Sequence, residues 1–130
     1  MSAKSVFIVD DNPEDLKIIH EAFREITPFT DTDVFKSGKE LFTKLSKGIV
    51  PSLILLDLEM PVSNGIEVLK KLKATEVYSK IPVIIFSESK DISKINECYQ
   101  LKATSFIRKP ADYADLAETI RTIDFMLAKF

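Results

Sequence analysis

The stretch PSLILLDLEMPVSNG, residues 51–65, runs apolar through Leu53-Ile54-Leu55-Leu56 and then stops on a carboxylate, Asp57. Four apolar residues in succession, without alternation, form the pattern of a strand buried on both faces, as in a parallel sheet covered by helices. A charged carboxylate is costly to bury. An acid ending such a run therefore marks the point where the strand leaves the core.

The same grammar recurs along the chain. Val6-Phe7-Ile8-Val9 runs into Asp10-Asp11, Val83 to Phe86 runs into Ser87, and the weaker Phe106-Ile107 is followed by Lys109. Val34-Phe35 is a fifth, marginal strand. Between these runs lie segments of helical period. Leu16, Ile19, Phe23 and Ile26 step by three and four, after Asp11 or Asn12 as N-cap and Pro13 in the first turn. Leu41, Phe42 and Leu45 form a second stripe, Ile66, Leu69 and Leu72 a third, and Ile92, Ile95, Cys98 and Tyr99 a fourth. Leu116, Ile120, Ile123, Leu127 and Phe130 form the fifth. Five strand–helix units predict one α/β domain over residues 1–130, a doubly wound five-stranded parallel sheet with helices on both faces.

Composition narrows the function. A chain of 130 residues, 45% hydrophobic and 29% charged, can bury one good core. Its net charge of −2, with basic and acidic residues interspersed, gives no electrostatic case for nucleic acid or an anionic membrane. No signal peptide opens it and no apolar run is long enough to span a bilayer, so a cytoplasmic location is expected. Cys98 is the sole cysteine, which excludes an intrachain disulfide, and with His20 the sole histidine no zinc set can be assembled. His20 reads as a surface or boundary residue, and Cys98 as a small buried or half-buried helix residue.

Right-handed crossovers place the C-terminal ends of all strands on one edge of such a sheet, where ligands bind at a switch in strand order. Asp10, Asp11, Asp57, Ser87 and Lys109 then converge on one crevice. Three carboxylates that close repel one another and remain ionised together only beside a compensating cation. Mg²⁺, a hard ion that takes oxygen ligands and keeps waters, suits an open edge. With a lysine and a hydroxyl this is equipment for phosphoryl transfer, in which an aspartate can serve as nucleophile.

These residues carry a resemblance. Asp10-Asp11 after the first strand, Asp57 with Met60-Pro61 and Gly65, Ser87 ending the fourth strand, and Phe106 with Lys109-Pro110 resemble the pattern of a response-regulator receiver domain of bacterial two-component signalling, over essentially the whole chain. The resemblance implies a flavodoxin-like fold and a regulatory phosphoacceptor whose product is a signal. Asp57 would accept the phosphoryl group from a histidine kinase or phosphotransfer protein. Asp10 and Asp11 would hold Mg²⁺ with Asp57 and the backbone carbonyl of Glu59, one acid directly and the other through water. Ser87 would move onto the phosphoryl oxygens, Lys109 would pair with them, and Phe106 would turn inward as the aromatic switch. The Lys109–Pro110 peptide would be cis, and Pro61 and Gly65 would shape the loop after the nucleophile. The altered surface, from the fourth helix through the fifth strand to the fifth helix, would meet a partner, or a second copy through an apolar patch at Phe125 and Met126.

The sequence departs from the family pattern in three places. Glu88 follows Ser87 where a small residue is usual, Lys102 stands where glycine often precedes Ala103, and Thr104-Ser105 replace acids that salt-bridge the dimers of one large subfamily. The longer segment from Ala74 to Ile81, with Tyr99 and the KATSFIRKP ending, resembles stand-alone receivers partnered with phytochrome-type kinases, so no output domain is expected. The alternative is a pseudo-receiver, a protein-binding module independent of phosphate. Its signature would be loss of Asp57, the Asp10-Asp11 pair or Lys109, and none is lost. A haloacid-dehalogenase-type phosphatase would need an aspartate where Glu59 stands. A nucleotide-binding enzyme would need a glycine-rich loop after the first strand, which is absent.

Overall fold

The structure is a computed structural model, and it describes residues 4–60 and 64–130. Five strands, β1 (Lys4–Val9), β2 (Thr30–Phe35), β3 (Leu53–Leu56), β4 (Val83–Ser87) and β5 (Ser105–Arg108), pair in the order β2-β1-β3-β4-β5. Every pairing is parallel. The helices are α1 (Pro13–Ile26), α2 (Gly38–Leu45), α3 (Gly65–Ala74), the single turn α4 (Glu76–Ser79), α5 (Ile92–Gln100) and α6 (Tyr113–Leu127). The expected flavodoxin-like α/β sheet is the one formed.

The continuous apolar runs are explained by two cores, one on each face. Val6, Ile8, Leu53, Leu55, Ile84 and Phe86 point toward α1 and α6, where they meet Leu16, Phe23, Ile120 and Ile123. Their strand neighbours Phe7, Val9, Ile54, Leu56, Val83 and Ile85 point the other way, onto Leu41, Leu69, Leu72 and Cys98. Successive side chains alternate between faces. Both faces are covered, so no position of β3 can be polar.

Local chemistry starts the helices. Asn12 caps α1, its Oδ1 accepting from the backbone N–H of Glu14 at 2.9 Å and of Asp15 at 3.2 Å, with Pro13 at the first helical position. Asn64 caps α3, accepting from the Ile66 N–H at 2.8 Å. Asp91 and Asp112 do the same for α5 and α6.

The structure amends several expectations. β2 is longer than Val34-Phe35, beginning at Thr30. It is an edge strand whose Asp31 and Asp33 face water, a composition that conceals a strand but protects an edge. The segment after Ala74 holds the extra turn α4. The fourth stripe is largely unburied: of the α5 residues only Cys98 is buried, while Ile92 and Tyr99 are exposed. α6 ends at Leu127 and leaves Phe130 partly in solvent. Phe125 is exposed, with the Lys129 ammonium 5.1 Å from its ring centroid, whereas Met126 packs against the α1/α6 core. Among the described residues no helix is long and apolar enough to cross a membrane.

Lys102 has a left-handed backbone, φ 69°, just past α5. This is where a helix commonly ends on glycine. The Ala103 N–H donates to the Cys98 carbonyl at 3.0 Å, closing the turn. The absence of glycine noted in the sequence is thus a position of backbone strain. Cys98, fully buried, has its thiol pushed up to about 11 by burial, with a smaller contribution from Glu97. His20 is half-buried and shares a 2.6 Å hydrogen bond between Nδ1 and the Thr32 hydroxyl.

Candidate phosphoacceptor site

The site assembles at the strand-order switch, where β1 and β3 lie side by side and their helices leave on opposite faces. The register of β1 against β3, Val9 opposite Leu56, puts Asp10 and Asp57 next to each other one residue beyond. The backbone continues the ladder past both strand ends. The Asp57 N–H donates to the Val9 carbonyl at 3.0 Å and the Asp10 N–H to the Phe35 carbonyl at 3.0 Å. Asp10 and Asp57 are buried and Asp11 half-buried, and each offers a carboxylate oxygen within 4.8 Å of the others.

Two of these carboxylates are oriented by amides. Asp10 Oδ1 accepts from the Asn12 N–H at 3.0 Å, and Asp57 Oδ1 from the Glu59 N–H at 3.2 Å. Burial pushes the Asp10 carboxyl up to about 6. The Lys109 hydrogen bond, the Asn12 amide and the lysine charge oppose that rise, and the charge of Asp57 adds to it.

Lys109 approaches from the other side. Its backbone N–H donates to the Ser87 carbonyl at 3.1 Å, extending the pairing of β4 with β5, and its side chain is only 9% exposed. The ammonium donates to Asp10 Oδ2, to Asp15 Oδ2 at 3.0 Å and to Asp57 Oδ2 at 3.3 Å. Burial alone would lower its affinity for a proton. The hydrogen bond to Asp10 and the charges of Asp57 and Asp10 outweigh that, so it is held above the ordinary lysine value and stays charged.

Ser87 ends β4 fully buried, its hydroxyl accepting from the Ser89 N–H at 3.3 Å. The Glu59 carboxylate turns outward to Lys94 of α5, 3.8 Å away. Phe106 is half-buried against the α2/α3 core, and its backbone N–H donates to the Tyr99 hydroxyl at 3.2 Å. Glu88 is exposed and lines a cleft of about 350 Å³ with Asp15, Lys109, Pro110 and Tyr113.

Gly65 has a steric explanation. A Cβ there would lie 2.2 Å from the Asp57 carbonyl oxygen and 2.6 Å from the Leu58 Cα, so α3 can begin this close to the acidic loop only without a side chain. Pro61 lies outside the described residues. The cis expectation at Lys109–Pro110 is corrected: among the described residues no peptide is cis. The trans form is also the lower in energy before proline, by roughly 0.5–1 kcal/mol.

Sequence reasoning brought Asp10, Asp11, Asp57 and Lys109 to one place, where they are found together, with Ser87 joined to Lys109 through the backbone. It missed Asp15. The available signal was its position in the first turn of α1, on the helix that leaves the Asp10-Asp11 corner.

The donor set is three carboxylates at an open sheet edge, all oxygen, with neither imidazole nor thiolate. These residues fit a hard divalent cation such as Mg²⁺.

Comparison with known proteins agrees with this arrangement. The response regulator receiver domain model matches residues 6–121. A protein-glutamate methylesterase/protein-glutamine glutaminase of Treponema denticola is 35% identical over 129 residues, covering 96% of this chain but 34% of that protein. The chain thus spans about a third of the length of that relative. The two-component response regulator ORR5 of Oryza sativa subsp. japonica is 34% identical over 115 residues, covering 88% of this chain and 84% of the relative. Among solved structures, the phosphorylated cyanobacterial phytochrome response regulator RcpA superimposes with a TM-score of 0.86 at 30% identity, covering 95% of this chain and 92% of that one. With the matched span, the parallel five-stranded fold and an acidic cluster at the switch point in agreement, this chain belongs to the response regulator receiver domains of two-component systems.

Proposed function

We propose that Asp57 is the phosphoacceptor of this receiver and that its phosphorylation reshapes the α5–β5–α6 face. One observation carries the reading. The strand-end acids Asp10 and Asp57 share a single buried ammonium, Lys109, that is tied by its own backbone to the end of β4. Acids, lysine and buried hydroxyl are thereby mechanically connected.

In the transfer, an Asp57 carboxylate oxygen attacks the phosphorus of a donor phosphohistidine. The P–N bond breaks, its electron pair leaves with the imidazole nitrogen, which takes a proton from water, and an acyl phosphate remains. Mg²⁺, held by Asp10, Asp11, Asp57 and the Glu59 carbonyl, would neutralise charge on the transferring oxygens when bound. Lys109 pairs with the phosphoryl oxygens, and the Ser87 hydroxyl gives up its bond from the Ser89 N–H to donate to them. Attack by water returns the carboxylate and inorganic phosphate.

The readout follows from the connections of Ser87 and Phe106. A receiver samples an active arrangement rarely, and an acyl phosphate that binds Ser87 and Lys109 better in that arrangement shifts the population. Phe106 and its partner Tyr99 lie on β5 and α5, so a move there alters the outer face. The likeness to RcpA supports a phytochrome-type histidine kinase, or a phosphotransfer protein, as donor.

Intact mass after incubation with a small-molecule phosphodonor and Mg²⁺ tests the reading. One added phosphoryl group, lost in Asp57→Asn and without Mg²⁺, is expected. No addition from such donors or from a panel of histidine kinases would favour the phosphate-independent binding module, with Glu88 the first residue to replace.

A further inference from the structure

The Lys109 ammonium lies among three carboxylates, and only two of them belong to the acidic cluster. Asp10 and Asp57 join Asp11 there, whereas Asp15 touches Lys109 at 3.0 Å from outside the cluster. Asp15 stands in the first turn of α1, its backbone N–H bound to the Asn12 cap at 3.2 Å. Its side chain is 35% exposed against 9% for Lys109, so it meets the ammonium from the solvent side.

This placement matters once a divalent cation competes for the cluster. The ammonium and a doubly charged ion cannot both lie against Asp10 and Asp57 without strong repulsion across a buried site. The lysine must yield, and a buried ammonium stripped of partners is expensive. Asp15 already accepts a hydrogen bond from it, so the shift needs only small rotations of a flexible stem.

Resting on the phosphoacceptor reading above, we propose that Asp15 is a positioning residue for Lys109: it retains the ammonium when Asp10 and Asp57 are given over to the divalent ion, and it surrenders the ammonium to the phosphoryl oxygens afterwards. Asp15 therefore controls cation affinity without being a ligand. Asp15→Asn leaves Lys109 concentrated on Asp10 and Asp57, where it competes more strongly with the metal.

The test is calorimetric titration with Mn²⁺ alone on the unaltered chain, Asp15→Asn, Lys109→Met and the double variant. The expected result is non-additivity: Asp15→Asn weakens Mn²⁺ binding about fivefold more when Lys109 is present than in the Lys109→Met chain. Equal effects in both backgrounds would reduce Asp15 to a through-space charge and overturn the proposal. Should Lys109→Met not fold, Asp15→Glu takes its place. Recovery of most of the affinity lost in Asp15→Asn is expected, and failure to recover it overturns the proposal. If the unaltered chain neither binds Mn²⁺ nor takes a phosphoryl group, the phosphoacceptor reading falls and this inference with it. Normal binding and phosphorylation with additive variants would remove this inference alone.

Discussion

Gly65 and Asp57 are in backbone contact: a Cβ on the glycine would lie 2.2 Å from the aspartate carbonyl oxygen. The start of α3 therefore acts as a template for the loop that carries the acid. Gly65→Ala must push the two apart. We expect a loss of about 3 kcal/mol in urea unfolding, at the upper end of overpacking costs, together with slower phosphorylation of Asp57. A neutral effect on both would show that the loop is not held by this contact.

Lys102 makes the opposite prediction. Its left-handed backbone is strained for any residue with a Cβ. Lys102→Gly relieves that strain while adding some freedom to the unfolded chain, for a net gain of about 1 kcal/mol. It also removes one of the two influences that lower the Lys73 pKa, the smaller after burial. A fall in the thermal midpoint would sink the explanation.

Asp10 illustrates the cost of a site kept ready. Its carboxyl is pushed up to about 6 by burial, against 3.8 for a free side chain. Between those values the folded chain binds the proton more tightly than the unfolded one, so stability falls as pH rises through that window and the full cost stands above it. In metal-free buffer, Asp10→Asn should raise the thermal midpoint at pH 7.5, and the gap should close on acidification toward pH 4. A less stable variant at pH 7.5 would mean that the Lys109 pair outweighs burial.

Lys109→Ala strands two buried carboxylates. Without divalent cation it should lose about 3 kcal/mol, as removal of one partner from a buried ion pair does, and added Mg²⁺ should restore part of that. Asp57 should still take a phosphoryl group by mass, yet amide resonances on α5, β5 and α6 should not shift. A normal shift would uncouple the lysine from the switch.

Self-association is expected through the same face, where Phe125, Ile92 and Tyr99 are exposed. Light scattering across a wide concentration range should show a monomer in the resting chain and a dimer with beryllofluoride. A monomer throughout excludes this role for Phe125.

The parts of this molecule legible in the sequence were those written in one strong code. The central runs at residues 6–9, 53–56 and 83–86 are covered on both faces, so each of their residues had to be apolar, and the polar residues ending them had to share one edge. β2 was nearly hidden because an edge strand bears acids and threonines. The α5 stripe misled because Ile92 and Tyr99 have core periodicity without a core to meet. Asp15 was hidden because an acid in a first helical turn already has an ordinary explanation, as a favourable partner of the helix dipole. Only the position of Lys109, set by the pairing of β4 with β5, distinguishes it.

The single buried anchor of α5, Cys98, has a mechanical consequence. A helix with one fully buried side chain can roll about it while forfeiting little apolar area, at about 25 cal/mol for each Å². The Glu59–Lys94 pair reaches it from the acidic loop at one end, and Tyr99 grips β5 near the other. We expect α5 to be a lightly sprung lever, in which hydrogen exchange is fastest among the longer helices and a chemical event too small to unfold anything is enough to turn it.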